Sequence, residues 1–222
     1  TGNAAHELRT PLALIQAQLD LYHSTENDAD LDAAQETIQM ITEQNERLSK
    51  LVKTLLDMSE LQTIMRNDKI ELFGLIEEVL TDLEPLALEK GIALIQEPQD
   101  ITYDKEYIIS NELMLTGSDI LIYRMLYNLV ENAIKYNHVN GKVIVSAKQT
   151  GNDIVITIAD TGSGIDEAFR EKIFEPFFRV DKSRSREIGG VGLGLAMVRE
   201  IVRAHDGKID VHQNAYGGTT FE

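Results

Sequence analysis

Cysteine is absent from the 222-residue chain, and this absence excludes several kinds of chemistry. Disulfide bonds, metal sites built from thiolates and a cysteine nucleophile all require a thiol. Basic residues are also few, because 21 lysines and arginines face 37 aspartates and glutamates, giving a net charge of −16. Nucleic acids and anionic membranes attract basic surfaces, so this balance argues against either as the main partner. It does not exclude a local basic pocket for a phosphate.

Long hydrophobic runs are missing as well. No uninterrupted apolar stretch approaches the roughly 20 residues that a helix needs to cross a bilayer, and no signal peptide is visible. The apolar fraction of 43% and the charged fraction of 26% are typical of globular proteins. Residue 1 falls in a helix already under way and residue 222 inside an apparent strand. We therefore expect the sequence to be a piece of a longer chain.

The first part of the chain carries the periodicity of two long helices. Apolar side chains recur at steps of three and four, first at Leu8, Leu12, Ile15, Leu19 and Tyr22. A second such series runs through residues 31–55, with Asn45 as a polar member. Two such helices form a hairpin whose apolar seam is too large for a monomer. The pattern predicts a homodimer in which two hairpins form a four-helix bundle.

Polar side chains lie opposite that seam near the start of the first helix. At about 100° per residue, His6 lies about 160° from the middle of the seam, and Thr10 comes round to nearly the same bearing. Taken alone, an exposed histidine is usually a solvated surface residue. Pro11 lacks an N–H, so the carbonyl of Glu7 loses its helical partner and the helix is predisposed to bend there.

After a short linker at residues 62–68 the pattern changes to mixed helix and strand. Strands are predicted at residues 69–72, 92–95, within 112–115, 142–149, 153–159, 208–212 and 219–221, and helices at 74–88, 119–136 and 193–204. The fold class is therefore α+β. A helical hairpin over residues 1–64 precedes an α/β sandwich over residues 65–222, in which helices cover one mixed sheet.

Three glycine clusters lie in the second region, at residues 160–164, 189–194 and 217–220. The second cluster opens a helix, where free N–H groups and the helix dipole favour an anion such as phosphate. None of the clusters is a Walker A loop or a dinucleotide fingerprint, and the protein-kinase motifs H-R-D and D-F-G are absent. Three clusters in one region indicate a binding site rather than three ordinary turns.

The helix before these clusters has a polar side. Its members Asn128, Asn132, Lys135 and Tyr136 follow at steps of four, three and one. Asparagine has poor propensity for helix interiors, so a functional reason is expected. Amide oxygens suit Mg²⁺, and a lysine one turn on can reach a phosphate. Glu131, beside Asn132, is expected to point about 100° away.

Residues 174–186 lie between the first two clusters and divide into an apolar and a basic half. The apolar half is expected to dock on the core. The basic half, which includes Arg184, is typical of a lid whose cationic side chains close on a polyphosphate.

Together these motifs resemble those of the sensor histidine kinases of two-component systems, and the resemblance covers essentially the whole chain. The matching segments are residues 6–12 (HELRTPL, the H-box), 128–136 (NLVENAIKY, the N-box), 160–164 (DTGSG, G1), 174–178 (FEPFF, the F-box), 190–195 (GVGLGL, G2) and 217–220 (GGTT). Two features depart from the family. Ala5 stands where it often has serine, and residues 99–111, either an extra hairpin or a loop, are longer than usual.

The resemblance implies a dimerisation and histidine-phosphotransfer hairpin followed by an ATP-binding domain of the Bergerat type. It implies that His6 accepts the γ-phosphoryl group of ATP and passes it to an aspartate of a response regulator. Glu7 would orient the imidazole. Thr10 would position a water that hydrolyses the phosphoaspartate of the regulator, which is the reverse activity of the family.

The cofactors implied by the resemblance are ATP and Mg²⁺. Asn132 would bind the metal with help from Asn128, Lys135 and Tyr136 would contact phosphates, and Asp160 would accept the adenine amino group. The further nucleotide contacts that it implies are Gly162, Gly164, Arg184, Gly190, Gly192, Gly194, Leu195 and Thr219.

The resemblance also implies a homodimer that binds the receiver domain of a response regulator and no nucleic acid. The chain would be the cytoplasmic portion of a membrane-anchored sensor, attached only through upstream segments.

Two other functions were weighed against this one. An ATPase of the Hsp90 or mismatch-repair type uses a glutamate four residues before the metal-binding asparagine as general base, and Asn128 at that position cannot accept a proton. A non-catalytic dimeric scaffold for a regulator would not need the intact N-box and glycine boxes.

Overall fold

The structure is a computed structural model that describes residues 2–24, 31–61, 63–97, 113–180 and 192–222. Arg184, Gly190 and residues 99–111, for which the sequence made predictions, lie outside the described residues. Within the part described, no helix is both long and apolar enough to cross a membrane.

The N-terminal hairpin consists of helix α1 (Gly2–Ser24) and helix α2 (Leu31–Glu60). Helix α1 continues through Pro11, which is buried. His6 and Glu7 belong to α1, and the structure describes the helix there but not their side chains. The predicted helical hairpin is therefore confirmed.

Much of the apolar seam of this hairpin stays uncovered within a single chain. Leu12 on α1 is 55% exposed and Ile38 on α2 is 63% exposed, and Val52 and Leu56 near the end of α2 are exposed as well. Asn45 is also exposed. The hairpin thus presents apolar side chains that its own fold does not bury.

The second region contains ten regular elements and two short 3₁₀ turns among its described residues. In chain order these are β1 (Asp68–Glu71), α3 (Leu72–Glu89), β2 (Ala93–Glu97), β3 (Met114–Gly117), α4 (Asp119–Lys135), β4 (Lys142–Thr150), β5 (Asp153–Asp160), the turns Glu167–Phe169 and Lys172–Phe174, α5 (Gly194–Ala204), β6 (Val211–Gln213) and β7 (Thr219–Phe221). A helical hairpin followed by a mixed α/β region confirms the predicted fold class.

Five strands form a mixed sheet in the order β2-β4-β5-β7-β6. Strands β2 and β4 are parallel, and the other neighbours are antiparallel. Apolar side chains of the helices and the sheet meet in one core, which includes Leu83 of α3, Leu126 and Ile134 of α4, Val143 of β4 and Ile201 of α5. This core positions one face of α4 beside the ends of β5 and β7.

The expectation of a single sheet was wrong. Strands β1 and β3 pair with each other in a separate antiparallel sheet, with Asp68 opposite Gly117. Each of these strands leads directly or nearly directly into a helix, β1 into α3 and β3 into α4, and these helices pack together. Because the helices bring the ends of both strands side by side, the strands pair locally.

The ends of several elements differ from the predicted ones by one to three residues, and two of these differences have local reasons. The strand predicted through Leu72 ends at Glu71, whose carboxylate accepts the N–H groups of Phe73 at 3.1 Å and Gly74 at 2.6 Å and so caps α3. The strand predicted from residue 208 begins only at Val211. The chain first reverses at Asp206, whose φ of 56° lies in the left-handed region.

His205 joins the end of α5 to the start of α4. Its Nε2 accepts the backbone N–H of Ser118 at 3.0 Å, and its Nδ1 lies 2.8 Å from the carbonyl oxygen of Ile201. A carbonyl oxygen can only accept, so Nδ1 is the donor in this contact. The ring of His205 thus has a structural role, because it links the two helices.

Candidate active site

A cavity of about 740 Å³ lies among α4, the segment after β5 and the start of α5. Most of the nucleotide-binding residues predicted from the sequence meet there. Those that line the cavity are Asn128, Asn132, Lys135, Tyr136, Asp160, Gly164, Gly192, Gly194, Leu195 and Thr219. Segments that are up to about ninety residues apart in the chain thus form one concave site, as expected for a ligand pocket.

The α4 side of the cavity carries the two asparagines. Asn128 donates through Nδ2 to the carbonyl of Arg124 at 2.8 Å, which leaves its Oδ1 on the side of Gly194. Asn132 lines the cavity one turn further on. Asn128 therefore presents its amide oxygen between α4 and the start of α5, with Asn132 on the same wall of the cavity.

The sequence placed Glu131 about 100° from Asn132 on the helix, and the structure shows that it nevertheless lines the cavity. The cavity follows α4 from Arg124 to Tyr136, so an offset of about 100° from Asn132 still leaves a side chain on its wall. The Glu131 carboxylate forms a salt bridge of 2.8 Å with the ammonium group of Lys135. The lysine predicted to contact phosphate is thus paired with a carboxylate one turn earlier.

Asp160 forms the polar floor of the cavity at the end of β5. It is only 8% exposed, and its Oδ1 accepts the N–H groups of Gly162 at 2.8 Å and Thr219 at 3.0 Å. Burial raises the pKa of this carboxyl group, and the two N–H groups act in the opposite direction. The result is a fixed, desolvated carboxylate that can accept a hydrogen bond from a ligand.

Two glycines are required by close packing around this site. A Cβ atom at Gly162 would lie 2.5 Å from the carbonyl oxygen of Tyr136. Gly192 has a φ of 76°, and a Cβ there would lie 2.7 Å from the carbonyl oxygen of Phe178. Both positions therefore exclude a side chain, and Gly162 does so beside Asp160 although it does not itself line the cavity.

The hairpin also contributes to the cavity, which the sequence analysis missed. The cavity is lined by three residues of α2, Lys53, Thr54 and Asp57. The carboxylate of Asp57 forms a salt bridge of 3.1 Å with Arg124 of α4. The spacing of these three residues places them on one side of α2. This polar stripe could have indicated a contact of α2 with another part of the protein, but the sequence does not show that the stripe faces the cavity.

An apolar contact lies next to this polar one. Leu51 of α2 and Leu193 before α5 are buried against each other, and Leu8, Leu55 and Phe177 pack around them. Leu193 also lines the cavity. Leu8 follows His6 by two residues, whereas Thr10 is exposed on α1 and does not line the cavity.

Two families match this chain over separate parts. Residues 1–64 match the His Kinase A (phospho-acceptor) domain, and residues 117–222 match the family described as histidine kinase-, DNA gyrase B-, and HSP90-like ATPase. A phosphoacceptor hairpin joined to an ATP-binding domain defines a class of signalling proteins. The chain belongs to the sensor histidine kinases of two-component systems, as the sequence predicted.

Individual relatives agree with this assignment. The chain is 35% identical to the sensor histidine kinase RppB of Synechocystis over 227 residues, which cover all of this chain and 47% of RppB. It is 32% identical to the signal transduction histidine-protein kinase ArlS of Staphylococcus aureus over 229 residues, which cover 99% of this chain and 47% of ArlS. The chain thus spans about half the length of the curated relatives it matches.

A solved structure has the same arrangement of elements. The histidine kinase ThkA, solved in complex with the response regulator protein TrrA, superposes with a TM-score of 0.70 at 25% identity. The match covers all of this chain and 59% of that one.

Proposed function

We propose that this chain transfers the γ-phosphoryl group of ATP to His6 and then to an aspartate of a response regulator. The observation that carries the proposal is the position of Leu193. This residue lines the cavity and forms, with Leu51, a buried cluster against which Leu8, two residues after His6, packs. The helix that bears the acceptor therefore lies at the edge of the cavity that would hold the donor.

The cavity has the groups needed to bind ATP. The fixed carboxylate of Asp160 would accept the adenine amino group, with Thr219 beside it in the same pocket. Tyr136 and Lys135 lie further along the cavity wall, and Lys135 would exchange its contact with Glu131 for a phosphate. Gly164, Gly192, Gly194 and Leu195 would bring backbone close to the nucleotide.

Magnesium would enter with the nucleotide. Mg²⁺ prefers hard oxygen ligands and usually takes only one or two from the protein, the rest coming from water and phosphates. Asn132, with the nearby Oδ1 of Asn128, fits such a partial site. Among the described residues no group of three or more histidine or acidic side chains could hold a metal alone, so the phosphates would complete the ligand set.

The reaction itself needs a nucleophile and little further protein chemistry. A neutral nitrogen of His6 would form the N–P bond as the bond to ADP breaks, and Glu7 would accept the N–H of the other ring nitrogen. Positioning and charge neutralisation supply most of the catalysis in such transfers. The two-domain architecture supports this division between the acceptor helix and the ATP cavity.

Incubation with γ-labelled ATP and Mg²⁺ tests the proposal directly. We expect acid-labile, base-stable label on the protein that disappears in His6→Gln, while that variant still binds ATP. Asn132→Ala should lose the label because the metal is lost. Rapid phosphate release without protein label would instead favour the ATPase, and neither product would favour the scaffold.

Glu131 gives the ATPase alternative its one structural support, because it lines the cavity. Its carboxylate is held by the Lys135 ammonium at 2.8 Å, however, so it would have to leave this salt bridge to take a proton from water. Glu131→Gln separates the two functions. A kinase should keep its protein label, whereas an ATPase that uses this base should lose phosphate release.

The reverse reaction is proposed for Thr10, which is exposed on α1 one turn after His6. Its hydroxyl would position the water that attacks the phosphoaspartate of the regulator. We expect Thr10→Ala to slow dephosphorylation of a phosphorylated regulator while leaving labelling of His6 within about twofold. Equal rates of dephosphorylation with the wild type and with Thr10→Ala would show that Thr10 does not have this role.

The proposed assembly is a homodimer that binds the receiver domain of a regulator. The exposed apolar seam of the hairpin supports the dimer, and the solved complex of ThkA with TrrA supports the kind of partner. Attachment to a membrane through other segments is likewise proposed, from the sensor proteins that this chain resembles. The domain boundary at residue 64 stays a prediction.

A further inference from the structure

The ATP cavity has a wall that does not belong to the ATP-binding domain. Lys53 and Thr54 of α2 line it, together with Asp57 one turn later. All three belong to the hairpin, far from residues 117–222 that match the ATPase family. The hairpin therefore reaches the nucleotide site with side chains of its own.

Four charged side chains on the cavity wall form two salt bridges with each other. Asp57 pairs with Arg124 at 3.1 Å, and Glu131 pairs with Lys135 at 2.8 Å. Each pair contributes little net attraction for a phosphate, because its two charges act on the ligand with opposite sign.

Lys53 differs from these residues. Over the described ranges the structure shows no ion pair for its ammonium group, and its side chain is exposed and lines the cavity. Arg179 is a further cation of this wall, but it comes from the ATP-binding domain. In a chain with a net charge of −16, a lysine at a site for an anionic ligand is a local exception.

We propose that Lys53 binds the polyphosphate of ATP from the hairpin side, so that nucleotide binding and docking of the hairpin stabilise each other. The inference rests on the proposed ATP site. Lysine is a compact cation on a flexible stem with three donors, and it can follow a phosphate over several positions. Lys53 reaches the cavity only because α2 is held against the ATP-binding domain.

The contacts that hold α2 in place are the cluster around Leu51 and Leu193 and the salt bridge from Asp57 to Arg124. Phe177 belongs to the cluster but does not line the cavity. By linkage, the factor by which docking strengthens ATP binding equals the factor by which ATP strengthens docking. A substitution that weakens the cluster should therefore also abolish the contribution of Lys53.

The first test is titration calorimetry of the whole chain with ATP, ADP and adenosine. We expect Lys53→Gln to weaken ATP and ADP by about fivefold to tenfold, as for loss of one partly solvated charge contact, and to leave adenosine within about twofold. Lys53→Arg should retain most of the ATP affinity. Lys148→Gln is the matched control, because Lys148 is exposed on β4 and does not line the cavity.

The second test repeats the comparison in a Phe177→Ser background, which weakens docking without changing a charge. There we expect Lys53→Gln to change ATP affinity by less than about twofold, because the undocked lysine no longer reaches the nucleotide. A full effect of Lys53→Gln in that background would overturn the coupling.

The outcomes separate the inference from the function on which it rests. Normal ATP affinity in Lys53→Gln would overturn the inference and leave the proposed ATP site intact. Equal weakening of ATP and adenosine would also overturn it, because Lys53 would then support the shape of the pocket rather than bind phosphate. A wild-type chain that binds none of the three ligands would overturn both.

Discussion

Leu126 and Leu12 have the same side chain, and both lie on long amphipathic helices, yet their surroundings are opposite. Leu126 on α4 is fully buried by the ATP-binding domain, whereas Leu12 on α1 is 55% exposed. The domain covers its helices with a sheet and with each other, and the hairpin has only two helices to cover its own seam. Helical periodicity thus predicts that one face of a helix will be buried, but not whether the same chain or another one covers that face.

The comparison extends to function. The ATP-binding domain builds its site from segments held in its own core, such as Asp160 at the end of β5. The hairpin carries His6 on a helix whose opposite face has exposed apolar side chains such as Leu12. A site held in a core and an acceptor helix with uncovered neighbours would suit the proposed transfer, in which His6 meets first ATP and then a regulator.

Leu126→Ala should have the largest effect, because it opens a cavity in the core of the ATP-binding domain. We expect the free energy of unfolding to fall by about 2–5 kcal/mol, measured by urea denaturation. Leu88→Ala is the control, because that leucine is exposed on α3 and its loss should cost less than about 0.5 kcal/mol. Similar losses in both variants would contradict the description of the core.

Leu12→Asp tests the hairpin side of the comparison. If a second hairpin buries this leucine, we expect the dimer to weaken by roughly 2 kcal/mol or more, about thirtyfold in the dissociation constant measured by analytical ultracentrifugation. Ala17→Asp serves as control, because Ala17 lies about 180° from the middle of the seam. A Leu12→Asp protein as dimeric as wild type would break the proposed bundle.

The variant Asp160→Asn should change both ATP affinity and the pH dependence of stability, and the two effects can be measured separately. Because the N–H groups of Gly162 and Thr219 donate to Oδ1, the amide oxygen would keep that place and the NH₂ group would face the adenine amino group, from which it cannot accept a hydrogen bond. ATP affinity should therefore fall by about 10-fold to 100-fold in calorimetry. Retained affinity would remove Asp160 from the adenine pocket.

The pH dependence of the same variant has a definite sign. Burial raises the folded-state pKa of Asp160, so its protonated form favours the fold, and this stability is lost as pH rises through the folded pKa. Urea denaturation should therefore show Asp160→Asn gaining stability relative to wild type as the pH rises above about 4. A difference that shrinks as the pH rises would contradict the desolvated carboxylate.

The salt bridge between the two regions should have the smallest effect. Asp57 and Arg124 are both partly exposed, so solvent screens their attraction and a coupling of only about 0.2–1 kcal/mol is expected. A double-mutant cycle with Asp57→Asn and Arg124→Gln measures it, and 0.5 M salt should reduce it further. A coupling above about 2 kcal/mol would mean that the pair is more buried than described.

Much of this molecule could be predicted from sequence, because the informative signals are local. Helical spacing gave the hairpin and the stripe from Asn128 to Tyr136, and the glycine clusters marked the backbone that approaches the pocket. These features depend on steric rules that act over a few residues. Asp160 was assigned through the resemblance, since a single aspartate after a strand has no distinctive pattern.

The features that escaped prediction depend on contacts between distant segments. Pairing of β1 with β3 follows from how α3 and α4 pack, and the place of Lys53 in the cavity follows from docking of α2. The place of Glu131 on the cavity wall also escaped prediction, because helix geometry gives the direction of a side chain but not the width of the cavity. No spacing rule within a helix contains that information.

The ring of His205 fastens α5 to α4 at one end, and Gly194 lies against Asn128 at the other. The two helices therefore run in opposite directions, side by side. The contact of His205 lies at the end remote from the cavity, and α5 begins beside the metal-binding amide proposed on α4. The position of this cavity wall thus depends on a side-chain contact a full helix length away.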